Sequence, residues 1–300
     1  MVCAVHKGLG IERAKPRHLT ASGNIVQSPQ RSGKATKLMV KTEDEGGESP
    51  CPVMGCGSDT TIDDFLGGSV RLIQPRDGYR VSMDTVMLAA TVPAKPGETV
   101  LEGGVGSAGA ALCLARRLPG VHVYGIDMQS SMIELARQNI AFNDLGDFVS
   151  VGRGCVTDLT GPEAKYDHVM INPPYLAKGK AIRPPEKNKG LAHMDSAAAL
   201  VDWIKFSIYS VKNRGTVSIV YRADRIDEVI SHLYRRVGDL KILPLWPRVG
   251  VPAKRVIIQG RKGIHGAAQL LPGLALHGEF DRYTAEARKI LWDGAALPLV

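Results

Sequence analysis

No stretch of this chain strings together the roughly 20 apolar residues that a membrane-spanning helix requires, and no secretion-signal core stands near its start. Cysteine is sparse and patternless. Cys3, Cys51, Cys56, Cys113 and Cys155 are odd in number, form no CxxC pair and have no histidines at zinc spacing. This argues against a zinc module and a disulfide framework. Only Cys51 and Cys56 are near enough in sequence to clip a metal or a disulfide, and free thiols are the expectation, with no bound metal. Two familiar loops are also missing. Gly33-Lys34 imitates the end of a phosphate loop, but Ser28 stands where its first glycine belongs and Ala35 where Ser or Thr belongs. Ser107 is followed at the right distance by Gly109, yet Val105 occupies the preceding glycine position, so it is no nucleophile elbow. Internal repeats are absent as well.

What the chain does have is apolar content, glycine and positive charge. Its 300 residues are 44% hydrophobic with 33 glycines, enough to bury a full core and to build nucleotide-type loops. The formal charge of +8 favours a polyanionic partner. Residues 1–58 read as a tail of low hydrophobicity, unable to offset the entropy of ordering. The first 42 residues carry eight Lys/Arg against the single acid Glu12. A basic arm, a transit peptide, or an extension ahead of a true start at Met39 or Met54 fit equally. Residues 59–95 are expected to form a cap: a hairpin over Asp63–Gly68 and Val70–Ile73, then an apolar helix with Asp84 as its N-cap.

From residue 96 to residue 300 strand and helix signals alternate. Short apolar runs at Val100–Leu101, Val121–Ile126, Phe148–Val151, Tyr166–Ile171 and Val217–Tyr221 are separated by helical stretches, and Ser131 with Glu134 suggests a capping box. Regular alternation predicts an α/β fold with a parallel, doubly wound sheet. Ligands of such sheets bind at the carboxyl ends of the strands, near the point where strand order reverses.

Two stretches fall where those ends should be. Glu102-Gly103-Gly104-Val105-Gly106-Ser107-Ala108-Gly109 follows the first strand, with Gly104 and Gly106 letting the backbone turn close beneath a ligand. Ala108 stands in place of the third glycine of the dinucleotide fingerprint. Asp127 ends the second strand, 23 residues beyond Gly104, where a carboxylate can accept a ribose's hydroxyls or cap the next helix. Asp158, after the third strand, suits either an adenine contact or a loop turn.

The fourth strand ends in Asn172-Pro173-Pro174-Tyr175. The prolines force an extended turn and hold Asn172 out of the helical region. An amide oxygen, a backbone carbonyl and an aromatic face then form a receptor for a planar group bearing an NH2.

With the incomplete glycine fingerprint, this quartet resembles class I S-adenosylmethionine-dependent methyltransferases that alkylate an amino nitrogen. The implied fold is Rossmann-like, mostly parallel with an antiparallel last strand. Gly78-Tyr79-Arg80-Val81-Ser82-Met83-Asp84-Thr85-Val86-Met87-Leu88-Ala89 and the closing Tyr283-Thr284-Ala285-Glu286-Ala287 resemble the bacterial tRNA adenine N6-methyltransferases that modify the adenine beside the anticodon of a valine tRNA. That resemblance implies S-adenosyl-L-methionine as cofactor, held by Arg80, Asp84, Glu102, Gly104, Gly106, Asp127, Met128 and Asp158. It implies a target base gripped by Asn172, Pro173, Pro174 and Tyr175, and a cytoplasmic enzyme acting on tRNA.

Positive charge follows the quartet. Lys178, Lys180, Arg183, Lys187 and Lys189 lie in a proline-rich loop, and Arg248, Lys254, Arg255, Arg261 and Lys262 form a second group. Basic side chains track phosphates, although a charge run often means no more than a solvated loop. Three competing readings share the fold: a protein glutamine methyltransferase, a DNA adenine or ribosomal RNA guanine enzyme, and an RNA-binding module without catalysis. The oligomeric state is left open.

Overall fold

The computed structural model of the chain describes residues 59–77, 80–158, 164–175 and 198–300. The hairpin is β1 (Thr60–Phe65) and β2 (Val70–Pro75), an antiparallel pair joined by a short 3-10 turn. It is followed by α1 (Met83–Thr91), β3 (Thr99–Gly103), α2 (Gly109–Arg117), β4 (His122–Asp127), α3 (Ser130–Phe142), β5 (Val149–Arg153) and β6 (Tyr166–Ile171). Then come α4 (Leu200–Ser210), β7 (Val211–Arg222), α5 (Ile226–Leu233), β8 (Val237–Trp246) and β9 (Arg255–Lys262). Two short strands, β10 (Gln269–Leu270) and β11 (Leu274–Ala275), and α6 (Ala285–Asp293) close the chain.

The main sheet runs β10-β8-β9-β7-β6-β3-β4-β5, with β11 also paired to β8. Strands β5, β4, β3, β6 and β7 are mutually parallel, and β9 is antiparallel to both β7 and β8. The expected doubly wound sheet with an antiparallel last strand is therefore the observed one. β3 begins the pattern and has β4 on one side and β6 on the other. The strand order reverses there, the place where doubly wound sheets hold ligands beyond the carboxyl ends of their strands.

Period-two alternation explains why these runs are strands buried on both faces. Val100, Met170, Val220 and Ile257 enter one apolar layer with α1, α2 and α3. Their neighbours Leu101, Val169, Ile171, Ile219, Tyr221, Val256 and Ile258 enter the other, with α4 and α5. Burying a side chain such as Ile171 fully contributes roughly 1.5–3 kcal/mol.

The hairpin is fastened to this body by two asparagines one helical turn apart, Asn139 on α3 and Asn143 at its C-cap. Asn139 accepts from the Ile73 N–H (2.7 Å) and donates to the Ile73 and Ser107 carbonyls (3.0 Å each). Asn143 accepts from the Arg71 N–H (2.9 Å) and donates back to the Arg71 carbonyl (2.7 Å). The side chains of a helix thus imitate a neighbouring strand, satisfying the backbone of β2. Arg117 reaches from α2 to the last carbonyls of α1, at Ala89 (2.8 Å) and Val92 (2.9 Å), a cation on the negative end of a helix.

Two local expectations are corrected. Ser82, not Asp84, occupies the N-cap of α1, and Asp84 sits inside the first turn with its carboxylate turned to other partners. α3 begins at Ser130, so Ser131 caps nothing, while Glu134 faces Arg137 at 3.8 Å on the surface. Helix α4 starts at Leu200. Thr284 does cap α6, accepting from the Ala287 N–H at 3.1 Å.

Candidate active site

The parallel register brings the glycine loop and the Asn172 quartet out side by side. Gly103 is paired with Ile126 of β4 on one flank and with Ile171 of β6 on the other. Gly104, Asp127 and Asn172 therefore leave three adjacent strands at one edge.

The loop is built by close approach. Gly104 and Gly106 have φ of 69° and 52°, the left-handed region that suits glycine. A Cβ on Gly104 would lie 2.5 Å from the Trp203 ring, and one on Gly125 would lie 2.5 Å from Val105. A Cβ on Gly109 would strike Val81 at 2.6 Å, so the segment before α1 crosses the start of α2. Ala108, fully buried, also adopts a left-handed φ of 69° at the N-cap of α2.

Asp127 locks this loop. One carboxylate oxygen accepts from the Gly106 N–H (3.0 Å) and the other from the Gln129 N–H (2.9 Å). A carboxylate has about four lone-pair sites, so this bracing leaves acceptor capacity for a ribose. Met128 beside it is 42% exposed at the rim, and Asp158 lies exposed in a turn after β5.

Glu102 is the unusual member. It is 5% exposed, its Oε2 has no hydrogen-bond partner, and the Trp203 indole N–H nearby is likewise buried without one. Burial pushes the Glu102 carboxyl well above the usual range, opposed by a hydrogen bond from the Ala111 backbone and reinforced by the charge of Asp127. Burial, with Glu102 next, pushes the Cys113 thiol up to about 12. Buried carboxylate oxygens without a partner are rare, and Glu102 Oε2 is one, at the start of the glycine loop.

At the quartet, Ile171 and Pro173 are buried while Asn172 and Tyr175 are half-buried. The Tyr175 hydroxyl lies 3.2 Å from Asn172 Oδ1 and 3.2 Å from Asp84 Oδ2. Asp84 in turn accepts from Arg255 Nε at 2.6 Å, and the Arg255 guanidinium lies 4.6 Å from the Tyr175 ring centre. Tyr221 meets the same ring edge-on at 5.5 Å.

Several sequence-based placements change. Asp84 sits at the quartet, buried against Arg255 and Tyr175. Arg80 is bound to Asp63 and to the Pro75 carbonyl (2.7 Å), bracing the hairpin. The second basic group is not one patch. Six residues of β9 span about 20 Å, so Arg255 lies at the site edge while Arg261 and Lys262 bond the backbone of Arg214 and Val211 at the opposite edge. Lys178, Lys180, Arg183, Lys187 and Lys189 lie outside the described residues, as do Cys3, Cys51, Cys56 and Tyr79. Sequence reading missed the contribution of Arg255 and Tyr221 to the quartet. Their only signal is strand pairing, with Tyr221 opposite Val256 and Arg222 opposite Arg255.

Residues 100–194 match the family model described as a methyltransferase domain. Among curated proteins, the tRNA1(Val) (adenine(37)-N6)-methyltransferase of Vibrio campbellii is 32% identical over 110 residues, 37% of this chain and 46% of that one. The match thus spans just under half of that relative's length. Proteins of the same name from Aeromonas hydrophila (27% over 200 residues, 65% and 81% coverage) and Bacteroides thetaiotaomicron (24% over 218 residues, 70% and 89%) match more of the chain. A crystal structure described as a predicted O-methyltransferase from Agrobacterium tumefaciens superposes with a TM-score of 0.59 at 23% identity, covering 72% of this chain and 98% of that one. The sheet order gives the class I methyltransferase fold, and the matched stretch is a methyltransferase domain. Its cofactor is S-adenosyl-L-methionine. The orphaned Glu102 Oε2, the left-handed glycines and the braced Asp127 suit that molecule. Among the described residues there is no cluster able to hold a metal, and no helix long and apolar enough to cross a membrane.

Proposed function

We propose that this protein methylates N6 of an adenine in tRNA, at the position beside the anticodon of a valine tRNA. The observation that carries this reading is the Asn172–Tyr175 quartet emerging one strand away from the glycine loop. The names of the curated relatives support the substrate. In this reading Glu102, Gly104 and Gly106 hold the methionine part of the cofactor, Asp127 its ribose and Asp158 its adenine.

The cofactor supplies a methyl group already activated on a sulfonium, so the chain's task is alignment rather than acid–base work. Asn172 Oδ1 and the Pro173 carbonyl accept hydrogen bonds from the target NH2 and aim its lone pair. Pro173 and Pro174 keep that amide from turning away. An adenine stacked in a loop must be flipped out, at a cost of a few kcal/mol. Stacking on Tyr175, worth about 1–3 kcal/mol per base, offsets much of it. Arg248 and Lys254, in the β8–β9 turn at the same edge, are placed to meet phosphates.

The test is transfer from radiolabelled S-adenosylmethionine to total tRNA, ribosomal RNA, DNA and release-factor protein in parallel. Label in tRNA as N6-methyladenosine is the expected result. Label in protein alone would transfer the reading to a glutamine methyltransferase, and no label with no cofactor binding would make the fold an RNA-binding module.

A further inference from the structure

We propose that Arg255 and Asp84 are positioning residues for Tyr175, a clamp that sets the aromatic platform and its single phenol hydrogen for the incoming base. The proposal rests on reading Asn172–Tyr175 as the receptor for the target nitrogen.

Tyr175 is held from three directions. Arg255 opens β9, and the antiparallel register with β7 carries it to the site edge across 171 residues of sequence from Asp84. Its planar guanidinium sits 4.6 Å from the ring centre and covers one face. Its Nε donates sideways to Asp84 at 2.6 Å, and Asp84 faces the Tyr175 hydroxyl at 3.2 Å. Tyr221 closes the flank at an interplanar angle of 64°. Cation–π contact, ion pair and hydroxyl contact thus converge on one ring.

Two consequences follow. The guanidinium occupies one face of Tyr175, which excludes that face as the side from which the target base stacks. The hydroxyl also has one hydrogen and two acceptors at equal distance, Asp84 Oδ2 and Asn172 Oδ1. A carboxylate paired with Arg255 is the stronger acceptor. It draws the phenol hydrogen toward itself and away from Asn172 Oδ1, the atom that meets the target N–H in this reading. Lysine could keep the ion pair but not the stacked plane with a sideways donor, so Arg and Lys are not equivalent here.

The experiment combines kinetics, calorimetry and fluorine NMR of fluorotyrosine-labelled full-length protein, with the Tyr175 resonance identified by its loss in Tyr175→Phe. In Arg255→Gln that resonance shifts and broadens, while the surface control Arg137→Gln leaves it in place. In Arg255→Gln and Asp84→Asn, turnover on RNA falls about tenfold or more, and the Kd for S-adenosylmethionine stays within about threefold. Arg255→Lys recovers only part of the turnover, and it serves as the test variant should Arg255→Gln fail to fold. An unchanged Tyr175 resonance in either Arg255 variant overturns the clamp. So does a cofactor Kd raised more than about tenfold in Asp84→Asn, which would return Asp84 to the cofactor site. A wild-type protein that methylates no RNA defeats the tRNA reading alone, because the resonance and the cofactor affinity decide the clamp without a substrate.

Discussion

At the edge where the parallel strands begin, Asp167 accepts hydrogen bonds from Lys212 Nζ (2.7 Å), the Thr99 N–H (3.0 Å) and the Thr99 hydroxyl (2.8 Å). At the edge where they end, Glu102 keeps a buried oxygen with no partner at all. Burial works against ionisation in both. For Asp167 the bonds from Lys212 and Thr99 outweigh it and hold the carboxyl at about 2, whereas for Glu102 burial prevails. His168 and Glu98 repeat the first pattern. The buried imidazole bridges Thr216 (2.6 Å) and Glu98 (3.0 Å), and although burial opposes it, that bond with the Lys95 N–H holds Glu98 below its ordinary value. A cavity of about 400 Å3 lies among these groups, with its acids paired to its own bases. One edge closes its charges for stability; the other leaves polar groups short of partners, as sites awaiting a ligand do.

Breaking the receptor should have the largest effect. Asn172→Ala is expected to lower methyl transfer about a hundredfold or more while leaving cofactor affinity nearly unchanged, read by turnover and calorimetry side by side. A variant with full turnover would remove Asn172 from the chemistry. The next two variants make the same chemical change, carboxylate to amide, at the two edges, and opposite signs are expected. Glu102→Gln should weaken cofactor binding about tenfold and yet raise the melting temperature of the ligand-free protein by a few degrees. Its folded-state pKa is raised, so ionisation costs stability, and that cost grows as pH climbs above the ordinary carboxylate value; the gain over wild type should therefore shrink toward acidic pH.

Asp167→Asn should do the reverse, lowering stability by about 1 kcal/mol with no change in cofactor affinity. Its folded-state pKa is depressed, so its contribution is present above the unfolded value of 3.8 and is lost as pH falls toward about 2. Thermal melts over that acidic window would show the two proteins converging. Equal signs for the two amide variants would collapse the contrast between the edges. The smallest effect belongs to Ala108→Gly. Relief of the left-handed backbone, about 1 kcal/mol, is offset by the lost methyl burial and the freer unfolded chain. Melting temperature and cofactor affinity should both stay near the wild-type values, showing that alanine serves where the glycine fingerprint has glycine.

Much of this was legible along the chain, because period-two apolar runs, glycine turns and prolines act within a few residues. The Asn172 turn, the glycine loop and the strands that carry them were all readable in this way. Caps were less so. Asp84 and Ser131 are good capping residues by type, but tertiary partners claimed Asp84 and the start of α3 fell two residues early. What only the structure reveals depends on register between distant strands. Nothing near Arg255 separates it from Lys254 or Arg261, yet pairing with β7 turns it onto Tyr175. Likewise Asn139 and Asn143 read as ordinary helix polar residues until β2 is laid against them.

The central claim is that this edge of the sheet delivers a methyl group to an adenine amino nitrogen. Its most direct test is mass analysis of nucleosides from tRNA treated with S-adenosylmethionine and either wild-type protein or Asn172→Ala. The account predicts N6-methyladenosine with the wild type and almost none with the variant. Equal amounts from both, or methylation confined to a protein glutamine, would contradict it.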